Sequence, residues 1–269
     1  MWKDVNEVQE IEEVKEKCES VAAFFDLDGT LVSLPSLERR FFRVLRYRKQ
    51  IGIGNYFLWL MEAAQLAPRG ISQVLHANKM YLRGISVREK DLPRSPSFYP
   101  EAIDRVAWHA ERGHFIVIVS GTLEPLAGRA ARSLEAELRE RGLATTIRVC
   151  ATRLEVERAR CTGRFLGVAM FGEAKARAVR RIAAEENLDL QRCFAYGDSS
   201  SDRCMLEAVG KPAAVNPSND LARIARRNDW PVQWWGKEKT FTQRAQRTQR
   251  SDESDHELQV ARAKAGYET

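Results

Sequence analysis

The chain has 269 residues, of which 44% are hydrophobic and 30% are charged, and its formal net charge is +6. These values are typical of a globular protein with one large domain, or with a core domain and a smaller insertion, and no apolar run reaches the roughly 18 residues that a membrane-spanning helix needs. The basic excess suits a phosphate-bearing substrate, and no nucleic-acid recognition motif accompanies it, so we expect no nucleic-acid partner.

Valine and isoleucine recur every three positions in the first segment, which predicts a short amphipathic helix over residues 1–19. The segment is acidic and lacks the basic and apolar parts of a secretory signal peptide. The five cysteines of the chain are scattered and include no C-x-x-C pair, which argues against a disulfide framework or a zinc site and favours a reducing compartment. We therefore expect a cytoplasmic location.

A short buried strand is predicted over residues 21–25, and a long helical stretch follows it. Residues 35–97 carry three segments of helical pattern, separated by glycine and proline, at 36–47, 55–67 and 72–84. This pattern predicts an all-helical cap domain, inserted after residues 20–34 of a core domain. The second segment is unusually apolar, and we expect it to pack inside the cap and against the core or, alternatively, to form an apolar wall for a lipid-like or aromatic leaving group.

Strands and helices alternate beyond Pro100. Helices are predicted over 102–112, 124–141, 173–186 and 201–208, and strands over 114–122, 146–151, 192–198 and 212–216, with a polar hairpin over 152–167. Such alternation favours parallel βαβ units and therefore an α/β fold, a doubly wound parallel sheet built from residues 20–34 and 98–235. Residues 236–269 are polar and nearly free of large apolar side chains, so we expect them to be disordered.

Polar residues follow three of the predicted strands at their carboxyl ends, where open parallel sheets bind ligands. Asp26 and Asp28 follow the first strand, Ser120-Gly121-Thr122 ends the strand over 114–122, and Asp198 ends the strand over 192–198, with Asp202 four residues later. Lys175 opens the helix that precedes the latter strand, so its side chain can reach the same edge of the sheet. The groups expected to converge there are the carboxylates of Asp26, Asp28, Asp198 and Asp202, the hydroxyl of Ser120, the amide of Gly121 and the ammonium of Lys175.

These motifs occur in a specific order: FFDLDGTL, VIVSGT, Lys175 and YGDSSSD. In this order they resemble the four motifs of the haloacid dehalogenase (HAD) superfamily, and more narrowly its phosphoserine-phosphatase-like branch, in which a helical cap is inserted between the first two motifs. The resemblance covers about residues 20–220. It implies a Rossmann-like core and hydrolysis of a phosphate monoester.

Two neighbouring carboxylates repel each other, and a metal ion offsets that repulsion. Phosphoryl transfer to an anionic nucleophile also requires neutralisation of charge, and Mg²⁺ prefers oxygen ligands. We expect Asp26 and Asp198 to bind Mg²⁺ directly, with Asp202 close by and the backbone carbonyl of Asp28 as a further ligand.

The remaining chemistry can be divided among the same residues. Asp26 is expected to attack phosphorus and form an aspartyl-phosphate, while Asp28 protonates the leaving alkoxide and then deprotonates the attacking water. Ser120 and the amide of Gly121 are expected to hold the phosphoryl oxygens, and Lys175 to bind the phosphate and neutralise the charge that it shares with Asp26. Asp28 also favours phosphoryl transfer over dehalogenation, since members that cleave carbon–halogen bonds lack a carboxylate two residues after the nucleophile.

Each motif has a simpler explanation when taken alone. The DLDG sequence could begin a calcium loop, but Leu37 stands at the twelfth position, where an EF-hand has glutamate. Asp198 and Asp202 are also typical of a helix N-terminus, and Lys175 of a solvated first helical turn. A phosphotransferase would use the same residues as a phosphatase, and a mutase or a non-enzymatic anionic-surface binder is less consistent with them.

The segment after the first motif bears on the substrate. Phosphoserine phosphatases read the substrate's amino group with a glutamate shortly after the first motif, but Pro35 occupies that place here and Glu38 is out of register. Arg39, Arg40 and Arg43 could contact a second anionic group or face water. A small-molecule phosphate ester is therefore the expected partner, with a lysolipid phosphate at a membrane surface as an alternative. The sequence predicts no oligomeric state.

Overall fold

The computed structural model describes residues 20–69, 78–88, 91–93 and 96–236. The predicted helix over 1–19 and all but the first residue of the predicted tail over 236–269 lie outside these ranges. Within the described part of the chain, no helix is long and apolar enough to cross a membrane.

The core is a six-stranded sheet in which every neighbouring pair of strands is parallel. Its strand order is β3-β2-β1-β6-β7-β8, and β4 and β5 form a separate antiparallel pair. The strands are β1 (Ala22–Phe25), β2 (Phe115–Leu123), β3 (Ile147–Thr152), β4 (Leu154–Glu157), β5 (Arg160–Phe165), β6 (Phe194–Gly197), β7 (Lys211–Val215) and β8 (Val232–Gln233). From β1 the chain adds β2 and β3 on one side, and it then adds β6, β7 and β8 on the other side of β1. The strand order therefore reverses between β1 and β6, which is the topological switch point of the sheet.

Helices cover both faces of this sheet, as a doubly wound fold requires. The α-helices are α1 (Leu37–Tyr47), α2 (Ile53–Leu66), α3 (Pro100–Ala110), α4 (Glu124–Glu140), α5 (Glu173–Glu185), α6 (Arg203–Leu206) and α7 (Asn219–Arg227). Successive strand residues point to opposite faces, so Phe24 packs in one apolar cluster with α5, α6 and α7, and Phe25 in another with α3 and α4. The predicted fold class is confirmed.

The stretch between β1 and α3 contains α1, α2 and two short 3₁₀ turns, Ala67–Arg69 and Met80–Leu82. The third predicted helical segment, 72–84, lies partly outside the described residues, and its described part forms the second 3₁₀ turn instead of an α-helix. Leu66 is the one buried residue of α2. Trp59 of α2 is partly buried and packs against the main apolar cluster, whereas Phe57 and Leu60 are exposed, and the division into core and cap stays a prediction.

The last part of the described chain, beyond Ser200, differs from the prediction in two ways. The helix predicted over 201–208 is a 3₁₀ turn at Ser200–Asp202 followed by the single helical turn of α6. Helix α7 and strand β8 were not predicted, although Leu221, Ile224 and Ala225 recur at helical spacing within α7. α7 is short, and only Leu221 and Ala225 of it are buried.

Candidate active site

The candidate site lies at the switch point of the sheet. Asp26 directly follows β1, and Asp198 directly follows β6. The amide of Asp26 donates to the carbonyl of Tyr196 at 2.9 Å, which extends the parallel pairing of the two strands to the first site residue. Gly29 then turns the chain at φ +94°, and a Cβ there would lie 2.2 Å from Oδ2 of Asp198. Only glycine therefore allows the first motif to approach the last so closely.

Lys175 connects the two ends of the site. It lies in the first turn of α5, its side chain is 1% exposed, and its Nζ is 2.6 Å from both Asp26 Oδ1 and Asp202 Oδ1. The other oxygen of Asp202 accepts hydrogen bonds from the amides of Asp198 and Ser199, at 3.2 and 3.0 Å. Burial of all three charges is tolerated because each has a partner at hydrogen-bonding distance.

Three carboxylates gather around this lysine. Asp26, Asp198 and Asp202 each offer an oxygen, and these oxygens lie within 4.8 Å of one another. When ionised, the three carboxylates and Lys175 together carry three negative charges and one positive charge, an excess of two negative charges. An all-oxygen donor set with this charge fits a hard divalent cation such as Mg²⁺.

Burial and mutual repulsion shift the pKa values of the clustered carboxylates. Burial raises the pKa of Asp26 from its ordinary 3.8 to about 7, because Lys175 offsets only part of the desolvation and Asp202 adds repulsion. Burial, with repulsion from Asp26 and Asp202, raises the pKa of Asp198 to about 9. Burial alone would lower the pKa of Lys175, but Asp202 and Asp26 outweigh it and raise that pKa. Lys175 therefore stays protonated, and its single positive charge is shared by the carboxylates of Asp26 and Asp202.

Asp28 stands apart from the three-carboxylate group. Its Oδ1 accepts from the amide of Leu37 at 2.8 Å, and its Oδ2 accepts a hydrogen bond from the Thr122 hydroxyl. Burial raises the pKa of Asp28, while the bonds from Thr122 and Leu37 act against the rise. Thr122 was not predicted as a site residue. It is the last residue of the VIVSGT motif, and this position could have indicated its role.

The second motif forms the end of β2. Ser120 is 1% exposed, and its Oγ accepts from the amide of Thr122 at 3.2 Å. A Cβ on Gly121 would lie 2.0 Å from the ring of Phe171, so glycine is needed for that ring to pack over the strand end.

A cavity of about 220 Å³ joins these groups. Six of the seven predicted site residues line it, together with Thr122, and the seventh, Asp202, is fully buried and bound to Lys175. The sequence analysis did not assign six further lining residues to the site: Leu34, Ser36, Glu38, Phe171, Ser199 and Ser201. Glu38 was considered and placed out of register with the substrate-reading glutamate; the structure brings it to the cavity because Ser36 caps α1 and the first turn of that helix faces Asp28.

The three arginines of α1 differ in their surroundings. Arg40 donates to the carbonyls of Ser33 and Pro35, at 2.6 and 2.8 Å, and so stabilises the segment that leads into the helix. Arg43 is exposed. Arg39 is exposed as well, but it lines a second cavity next to the first.

Comparison with known proteins identifies the family. The family model for haloacid dehalogenase-like hydrolases matches residues 23–207. The chain belongs to this family. A protein of Mycobacterium tuberculosis named "probable phosphatase" is 33% identical over 224 residues, which cover 78% of this chain and 74% of the relative. A phosphoserine phosphatase of the same organism is 31% identical over 234 residues, covering 79% and 70%.

A solved structure of phosphoserine phosphatase, captured as an analogue of its phospho-aspartyl intermediate, shares the fold. It superposes with a TM-score of 0.55 at 21% identity, covering 80% of this chain and 93% of the other. This likeness supports the fold, and the family model with the named relatives identifies the chain as a HAD-type phosphomonoester hydrolase, phosphoserine-phosphatase-like. The predicted family resemblance and enzyme class are confirmed.

The raised pKa values predict that Mg²⁺ stabilises the protein more at alkaline pH. Asp26 and Asp198 have folded-state pKa values above the ordinary value, so the metal-free fold loses stability as pH rises through about 7 and about 9. A cation requires the ionised carboxylates and removes their repulsion. We expect the Mg²⁺-induced increase in melting temperature to be larger at pH 8.5 than at pH 6. Equal increases at both pH values, or an increase retained in Asp198→Asn, would contradict the assignment of the metal site.

Proposed function

We propose that this HAD phosphatase is a magnesium-dependent phosphomonoesterase that works through an aspartyl-phosphate on Asp26. The observation that carries the proposal is the position of Asp26, which shares Lys175 with Asp202 and opens onto the same cavity as Asp28. The proposed nucleophile Asp26, the proposed acid/base Asp28 and the buried ammonium of Lys175 thus line one small cavity.

The proposed reaction has two steps. In the first, a carboxylate oxygen of Asp26 forms a bond to phosphorus, the ester P–O bond breaks, and the leaving alkoxide takes the proton of Asp28. In the second, Asp28 removes a proton from water, the water oxygen attacks phosphorus, and inorganic phosphate leaves Asp26. Burial raises the pKa of Asp28, and a raised pKa favours the protonated form that the first role requires.

The phosphoryl oxygens would be held by the end of β2 and by α5. The Oγ of Ser120 accepts from a backbone amide, which leaves its hydrogen available to donate to the phosphoryl group. The amide of Gly121 and the ammonium of Lys175 would add two more donors. Asp26, Asp198 and Asp202, with the backbone carbonyl of Asp28, would hold Mg²⁺, which supplies charge neutralisation of the phosphoryl group when it is bound.

The location proposed for this activity is the cytoplasm, and its partner is a small-molecule phosphate ester. The described cysteines, Cys150, Cys161, Cys193 and Cys204, are free thiols, which supports a reducing compartment.

The test is release of inorganic phosphate from a panel of phosphomonoesters, in Mg²⁺ and in EDTA. The panel contains phosphoserine, sugar phosphates, nucleotides and a lysolipid phosphate. We expect turnover in Mg²⁺, and a loss in EDTA that added Mg²⁺ reverses. Addition of alcohols and sugars as acceptors separates hydrolysis from phosphotransfer, because a phosphotransferase would form a new ester at the expense of free phosphate. Turnover that persists unchanged in EDTA would contradict the role of the metal.

A further inference from the structure

A second cavity adjoins the candidate active site. It has a volume of about 730 Å³, within the range of small-molecule binding sites and more than three times that of the catalytic cavity. Ser36 and Glu38 line both cavities, so the two adjoin at the start of α1. A phosphate ester bound with its phosphorus at Asp26 would extend its leaving group into this second space, which we call the leaving-group cavity.

Aromatic side chains dominate its described lining. Phe42, Tyr56, Trp59 and Tyr81 contribute rings from α1, from α2 and from the 3₁₀ turn at Met80–Leu82. Phe42 and Tyr81 meet edge to face with their centroids 5.4 Å apart. The carbonyl of Trp59 accepts from the side chain of Asn78 at 2.7 Å, which holds α2 against the segment that carries Tyr81. The cavity is therefore built with a defined apolar wall.

The acidic group between the cavities is already paired within the chain. Glu38 forms a salt bridge with Lys79, whose side chain is 4% exposed, and accepts from the Tyr81 hydroxyl at 2.8 Å. A buried ammonium of this kind requires a compensating carboxylate. An ammonium group on a substrate would therefore meet a neutralised ion pair and would lose its hydration without gaining a free counter-charge.

We propose that the leaving-group cavity receives an uncharged alkyl or aryl leaving group, and that Phe42, Trp59 and Tyr81 determine this preference over an amino-acid ester such as phosphoserine. The inference rests on the proposed phosphatase function and adds to it the class of substrate. Apolar contact with these rings favours each additional methylene, whereas serine would fill only a small part of the volume.

The test compares kcat/KM for n-alkyl phosphates from butyl to octyl, all below their micelle concentrations, with that for phosphoserine. We expect kcat/KM to rise about two- to fourfold per added methylene and octyl phosphate to exceed phosphoserine by more than tenfold. Trp59→Ala should flatten this rise, so that the ratio of kcat/KM for octyl phosphate to that for butyl phosphate falls well below the wild-type ratio. Phe57→Ala is the matched control, because Phe57 lies on the same helix, is 61% exposed and does not line the cavity.

Binding of n-alkylphosphonates, measured by calorimetry, separates this inference from the function on which it rests. Cleavage that does not depend on chain length, or a preference for phosphoserine, would overturn the inference and leave the phosphatase intact. If no ester were cleaved but phosphonate binding still tightened with chain length in a Trp59-dependent way, the cavity assignment would stand and the proposed function would fail. Phosphonate binding that ignores both chain length and Trp59→Ala would overturn the inference by itself.

Discussion

Asp26→Asn is expected to lower phosphate release by at least about 10³-fold, because it removes the carboxylate that attacks phosphorus and also one ligand of the proposed Mg²⁺ site. Asparagine has nearly the volume of aspartate, and it lacks the charge whose burial raises the pKa of Asp26 to about 7. The variant should therefore stay folded at pH 8. The measurements are phosphate release in Mg²⁺ and the melting temperature of the same preparation.

Asp104→Asn is the control for Asp26→Asn, since Asp104 is an exposed residue of α3 that pairs with Arg141 on the surface. It should retain wild-type activity. Mass spectrometry of acid-quenched wild type during turnover should also find a phosphoryl group on the peptide that contains Asp26. Activity of Asp26→Asn within tenfold of the wild type would reject Asp26 as the nucleophile, whatever the melting temperature.

The sequence predicted the parallel sheet and the meeting of its motifs because both follow from local pattern. A run of apolar residues that ends in Asp26, and another that ends in Asp198, are sufficient to place two carboxylates at one edge of a parallel sheet. The pattern does not encode which oxygen faces which donor. The contact of Lys175 with both Asp26 and Asp202 depends on the exact start of α5, where Gly172 adopts φ +51° and its amide donates to the carbonyl of Ser201 at 3.0 Å.

The parts that sequence reasoning missed depend on contacts between distant segments. Thr122 reaches Asp28 across 94 positions, because β2 continues through the VIVSGT motif up to Leu123. Glu38 lies at the cavity for a similar reason, since the orientation of α1 is set by the Ser36 cap and by the burial of Leu37 and Phe41. A motif position alone placed Glu38 out of register, whereas the helix turns its side chain toward Lys79.

These distant contacts also explain why family resemblance alone does not identify the substrate. The catalytic cavity contains the residues that the family motifs name, but the adjoining cavity is built by residues of α1, α2 and the 3₁₀ turn, which no motif covers. Chemistry and specificity thus reside on different elements, as is usual where loops and insertions surround a rigid sheet.

Lys175→Met is expected to destabilise the metal-free protein by about 3–5 kcal/mol at pH 8, because it removes one partner of a fully buried ion cluster. Methionine fills much of the same volume, so the loss reports the uncompensated charges of Asp26 and Asp202 and not a cavity. Phosphate release should fall as well, since the ammonium also neutralises the phosphoryl group. Arg177→Met provides the matched control, because it removes one positive charge from an exposed position of the same helix and should change neither quantity appreciably.

The response of Lys175→Met to magnesium distinguishes this account from a simple packing defect. Without the lysine, the excess negative charge of the three-carboxylate group increases, so Mg²⁺ should raise the melting temperature of the variant more than that of the wild type. Denaturant unfolding with and without Mg²⁺ measures, on the same sample, the free energy of unfolding without the cation and the stabilisation that the cation adds. Unfolding of Lys175→Met that matches Arg177→Met in EDTA would show that the buried lysine does not hold the carboxylates together. A Mg²⁺ response no larger than that of the wild type would show that the cation and the lysine do not share the same charges.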